Sequence, residues 1–174
     1  ENCLYIGASL SEDNITGSIT RRDDIIWKDN DFEVFLDPFS DGKLYYEIEN
    51  NALGTVMDLL MEKPYKDGGT FIMNWDCKGL KLAVSRDGSL NWGKDTDRAW
   101  YVEMAIPYKA LAREFKNPAD RKVWRINFSR VEWLVKGGPE ENWVWSPTGK
   151  VDMHMLELWG FLHFQNAEKT FPPF

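Results

Sequence analysis

Alternating apolar and polar positions mark most of this chain as strand. Phe32, Val34 and Leu36 alternate with Glu33, Phe35 and Asp37, the period of a half-buried strand. Trp100, Val102, Met104 and Ile106 alternate in the same way with Tyr101, Glu103 and Ala105. Further β-prone runs cover 3–10, 15–20, 45–50, 55–61, 80–85, 123–133 and 159–164. Ser40-Asp41-Gly42 separates 32–37 from 45–50 and predicts a hairpin; Asp87-Gly88 closes the run at 80–85. One helix is expected, over 107–114, where Pro107 sits at the first helical position with helix formers behind it. Many short strands separated by turns predict an all-β antiparallel sandwich.

The run 123–133 changes phase. Trp124, Ile126 and Phe128 share one parity, Val131 and Trp133 the other. A β-bulge near Ser129-Arg130 would reconcile them, and so would a strand covered on both faces.

Composition narrows the function classes. Hydrophobic residues make up 43% of the 174, enough for a sizeable core. No apolar run reaches the length of a membrane-spanning helix. The net charge of −7 comes without a basic stripe, since Arg21-Arg22 and Arg121-Lys122 lie far apart, so nucleic acid is not expected as a partner. Cys3 and Cys77 form no C-x-x-C motif, and spacing alone does not say whether they pair. The opening ENCLYIGASL has no signal-peptide pattern and reads as a boundary or a processed end.

Nine Trp are unusual for this length. Trp100 and Trp124 sit in alternating strands and belong to the expected core. Trp27 differs, because Asp23, Asp24, Lys28, Asp29 and Asn30 surround it. Trp145 follows the turn Gly137-Gly138-Pro139 within Asn142-Trp143-Val144-Trp145. Such a Trp either caps a core edge or offers a flat ring to a ligand. A sugar suits a ring of this kind: its apolar C–H face meets the indole, and carboxylates, amides and Arg bond its hydroxyls.

Four segments, IIWKDNDFEVFLDP, YYEIENNALGTVMDLLMEKPY, WRINFSRVEW and NWVWSPTG, resemble the carbohydrate-binding module family nine-like domains, related in fold to the DOMON superfamily. The resemblance spans essentially the whole chain, with the segments in the family's order. It implies an immunoglobulin-like antiparallel β-sandwich over 1–174, lacking one or two strands ahead of Leu4. It also implies a secreted or periplasmic module that binds carbohydrate and is fused to or associated with a glycan-degrading enzyme. In such modules two Trp sandwich the end of a glycan. The first stands six residues before a sugar-binding Glu, as Trp27 does before Glu33. The second stands three residues after a sugar-binding Asn, as Trp145 does after Asn142. The family also uses an Arg where Glu47 falls here, and Arg130 is the candidate replacement. The expected site is therefore Trp27, Trp145, Glu33, Asn142 and Arg130, with the two indoles facing each other across a slot.

Other chemistries have weaker support. Glycoside hydrolysis needs two carboxylates across a cleft, but pairs such as Asp23-Asp24, Asp29-Asp31 and Glu140-Glu141 read as loop pairs, which are usually solvated. No catalytic residue is therefore expected. For haem, His154 and His163 are the candidate ligands, and both read as packed or surface residues. No cofactor is expected, although Asp23, Asp24, Asp29, Asn30 and Asp31 leave room for structural calcium without the spacing of a calcium loop. A sandwich that binds another protein through Trp and Tyr anchors is the non-sugar alternative.

Overall fold

A computed structural model describes residues 2–113, 116–134 and 138–165. Its strands are β1 (Cys3–Ser11), β2 (Asp31–Asp37), β3 (Tyr45–Asn51), β4 (Val56–Met61), β5 (Phe71–Ile72), β6 (Lys81–Asp87), β7 (Ala99–Pro107), β8 (Val123–Trp133), β9 (Glu140–Val144) and β10 (Gly160–His163). All pairings are antiparallel. The smaller sheet has the order β1-β7-β6. The larger runs β10-β8-β2-β3-β4-β5, with β9 sharing the outer edge of β8 with β10.

The two sheets pack face to face as the expected sandwich. Their inner faces supply Leu4 and Leu10 from β1, Trp100, Val102, Met104 and Ile106 from β7, and Phe32, Val34 and Leu36 from β2. Ile48, Trp124 and Ile126 complete this core. The larger sheet is also covered on its outer face. There Phe35, Tyr45, Met57, Leu59 and Met61 pack with Ile26, Leu156 and Trp159, which arrive from loops. Both faces of β2 and β3 are thus buried, and every residue from Asp31 to Asp37 and from Tyr45 to Asn51 is inaccessible or nearly so.

Two expectations change, and the alternative left open for 123–133 closes in favour of a strand covered on both faces. The phase change in β8 is not a bulge. Register is continuous from Asp37↔Arg125 to Glu33↔Ser129, and again from Ser129↔Val144 to Trp133↔Glu140. Trp124 and Ile126 face the inter-sheet core while Asn127, Ser129 and Val131 are buried on the other side. The run 15–20 forms no strand. Side chains tie its backbone instead: Asp97 accepts from Ile15 N at 2.6 Å, Asn91 from Gly17 N at 3.1 Å, and Asp29 from Ser18 N and Ile19 N at 2.7 and 2.8 Å. The expected helix is only a 3₁₀ turn, Tyr108–Leu111. Leu111 is fully buried, and its carbonyl accepts from the Tyr46 hydroxyl at 3.0 Å. A longer helix would need that carbonyl for its own ladder. Ala112 is already extended, and Glu114 lies outside the described residues.

Candidate functional site

The outer face of the larger sheet forms the floor of a cavity of about 530 Å³, within the range of small-ligand sites. Strand alternation sets what that floor displays. Glu33 and Phe35 point outward from β2, Glu47 and Glu49 from β3, Met57 and Leu59 from β4, and Val131 from β8. Tyr65, Phe71 and Met73 form one wall, and the segment 151–154 another. Trp27 with Ile25, and Asn142 with Glu140, complete the rim.

Trp27 reaches the cavity because its neighbour is anchored. Ile26, in the 3₁₀ turn Ile26–Lys28, is buried in the outer-face cluster. The next residue then turns toward the opening, and Trp27 keeps 41% of its surface exposed. Trp133 Nε1 donates to the Trp27 carbonyl at 2.8 Å and fixes the turn against β8. The polar residues that follow are structural. Asp29 accepts four hydrogen bonds from Ser18, Ile19 and Asn51. Asn30 Oδ1 accepts from Trp133 N, and Asp31 Oδ1 from Val131 N, both at 2.7 Å. These two side chains continue the bonding of β8 where the β2–β8 ladder ends. Asp29 and Asn30, two of the five polar residues considered for calcium, are thus engaged in hydrogen bonds to backbone and side chains of the protein itself.

The floor is strongly acidic. Glu33 and Glu49 stand directly opposite in the β2–β3 ladder, and Glu47 opposes Phe35. Glu33, Glu47 and Glu49 all line the cavity, and all three are buried. Among the described residues, no Lys or Arg lines it. Burial, and then the charge of Glu47, push the Glu33 carboxyl up to about 8. Burial and neighbouring Glu33 also raise Asp31 and Glu49 well above the usual carboxylate range. Ser129 donates its hydroxyl to Glu33. His154 sits over this floor, with Nδ1 2.8 Å from the Tyr45 hydroxyl, Nε2 4.0 Å from Glu47 and the Tyr65 ring edge-on at 4.6 Å.

Trp27, Glu33 and Asn142 thus meet in one cavity, and Trp145 and Arg130 do not line it. Within β9, Asn142 lies opposite Val131 and faces the cavity, while Trp143 lies opposite Arg130 on the reverse side. Trp145, three residues after Asn142, shares the parity of Trp143. Its ring meets Phe128 edge-on at 5.8 Å and covers Gly160, facing a separate groove with Phe32, Trp143 and β1. Arg130 leaves by the same side to bond the Ser11 carbonyl at 2.8 Å and Glu12 at 2.9 Å. The expected slot between two facing indoles is therefore corrected: the sheet separates them. Sequence reasoning missed Tyr65 and Glu49. The parity of Glu47 and Glu49 with Tyr45 was visible, but it identifies a face only once that face is known to be covered.

The sequence profile of carbohydrate-binding family 9 matches residues 1–164, and the chain belongs to that family. No curated protein matches it significantly. Among solved structures, a crystal structure of a candidate carbohydrate-binding protein from Bacteroides uniformis is similar at a TM-score of 0.60 and 20% identity. That likeness covers 92% of this chain and 71% of the other, and it concerns the fold.

Proposed function

We propose that the outer-face cavity binds the end of a glycan or a monosaccharide, and that the chain acts as a non-catalytic module outside the cytoplasm, accessory to glycan breakdown. The observation that carries this reading is the convergence of an exposed indole, Trp27, with Glu33 and Asn142 on one cavity in a member of carbohydrate-binding family 9. Trp27 covers a sugar's C–H face; Asn142 offers donor and acceptor, and the carboxylates accept from hydroxyls. Covering one indole face removes on the order of 50 Å² from water, about 1.3 kcal/mol. Micromolar affinity needs about 8 kcal/mol, so the hydroxyl contacts dominate. Hydrolysis is not part of the proposal. Oxygens of Asp31, Glu33 and Glu49 lie within 4.8 Å of one another, closer than the two carboxylates that a glycosidase sets on either side of the scissile bond.

A glycan array followed by calorimetry tests the reading. Trp27→Ala should weaken the best ligand about tenfold or more, the equivalent of about 1.3 kcal/mol. Trp145→Ala should leave its affinity unchanged. If Trp145→Ala abolishes binding and Trp27→Ala does not, the ligand occupies the groove beside β1 instead. An array with no glycan bound in buffers with and without divalent cations overturns the reading.

A further inference from the structure

The most unusual feature of the molecule is the group of buried carboxylates under the cavity. Asp31 and Glu33 are two residues apart on β2 and share its outer face, and Glu49 is the cross-strand neighbour of Glu33. One carboxylate oxygen from each lies within 4.8 Å of the others, and all three residues are buried. Like charges directly opposite in a ladder are destabilising, the more so when desolvated.

Hydrogen bonding relieves them only in part: Val131 N donates to Asp31 Oδ1 and the Ser129 hydroxyl to Glu33. Asp31 Oδ2 and both carboxylate oxygens of Glu49 are inaccessible and have no hydrogen-bond donor in the protein. Glu47 comes near Glu49 but is itself a carboxylate, a partner only if one of the two holds a proton. Arg130 acts on Asp31 through its charge alone, and its hydrogen bonds go to Glu12 and Ser11. Buried oxygens without a donor, beside a second carboxylate oxygen from each neighbour, are costly unless something occupies the space between them.

We infer that Asp31, Glu33 and Glu49 hold a Ca²⁺ at the floor of the cavity, and that vicinal hydroxyls of the bound sugar complete its coordination. The donors in the cluster are all hard oxygens, which suits Ca²⁺ or Mg²⁺ rather than a softer metal. Two oxygens on opposite sides of Ca²⁺ are about 4.6–5.2 Å apart, against about 4.0–4.2 Å for Mg²⁺. Separations of no more than 4.8 Å are compatible with Ca²⁺. Ca²⁺ also tolerates irregular shells of six to eight oxygens, which three carboxylates from two neighbouring strands would give. The cation site is argued from the side chains alone; the sugar's part in it rests on the carbohydrate reading above.

Two measurements separate these claims. The first is made without sugar, on protein stripped with chelator: calcium titration by calorimetry, and terbium luminescence sensitised by Trp27 and displaced by calcium. One saturable site is expected. Glu49→Gln, which keeps the shape and removes a buried charge, should weaken it at least about 100-fold, the upper end of what losing even an outer partner of a metal ligand costs. Asp24→Asn, at the surface, should not change it. No calcium site in the wild type, or a site indifferent to Glu49→Gln, overturns the inference, whatever the glycan array shows. The second measurement repeats the sugar titration in chelator and again after calcium is restored. Loss and recovery of affinity support coordination of the sugar. Undiminished affinity in chelator overturns that half alone. Calcium binding with no glycan bound in any buffer leaves the cation site standing and removes the carbohydrate reading.

Discussion

Asp29 accounts for much of the polarity around Trp27. Its carboxylate accepts from Ser18 N, Ser18 Oγ, Ile19 N and Asn51 Nδ2 at 2.7–2.9 Å. Burial works to raise its pKa, but the hydrogen bonds from Ile19, Ser18 and Asn51 outweigh it and leave the group below its usual 3.8. A lowered folded-state pKa gives stability that is fully present above 3.8 and is lost as pH falls through the folded value. Asp29→Asn should cost about 1.5–3 kcal/mol at neutral pH, the range for hydrogen bonds to a charged group. The difference from wild type should shrink as denaturation is repeated at lower pH. A difference constant from pH 7 to pH 2 would show that the charge is not what holds the loop. At this scale the sequence spoke clearly about Trp27, whose polar surroundings contradict its apolar ring. It misled about Trp145, because three residues along a strand reverse the face. Only the register of β9 on β8 reveals that.

The strands with clean alternation or a turn at each end, β2, β3 and β7, were legible within a residue or so. Length and context decided the rest. The two-residue β5 is too short to carry a period, and β9 is acidic and exposed, with little to distinguish it from a loop. The 107–114 segment had helical chemistry and lost its last turn to the bond between Tyr46 and Leu111, a tertiary contact with no local sign. At the β8 edge, β9 and β10 are held side by side through Gly160. A Cβ there would enter the Trp145 ring. Gly160→Ala should therefore displace Trp145 and cost about 1–3 kcal/mol, the usual penalty of overpacking. Near-ultraviolet circular dichroism would register the ring's movement. Sugar affinity should not change, since the cavity opens on the other face of the sheet. A large loss of affinity would connect Trp145 to the ligand after all.

At the scale of the whole molecule, one sheet serves two layers. Its inner face closes the sandwich core against β1, β6 and β7; its outer face carries a second apolar cluster and, among it, the acidic floor. This division explains why β2 and β3 tolerate so many carboxylates: packing between the sheets stabilises the fold, and the polar cost is confined to the outer face, away from that core. Met104 and Met57 test the separation. Both are buried, Met104 between the sheets and Met57 opposite Glu49 beneath the cavity. Either change to Ala should cost about 2–5 kcal/mol through lost contacts and a cavity, lowering Tm by about 2–4 °C per kcal/mol in a chain of this size. Their effects on binding should differ. Met104→Ala, measured well below its Tm, should bind the array's best sugar as the wild type does. Met57→Ala removes part of the floor beside Glu49 and should weaken binding together with stability. Equal losses of affinity in the two variants would mean that the inter-sheet core shapes the site, and that the two faces of the sheet are not independent.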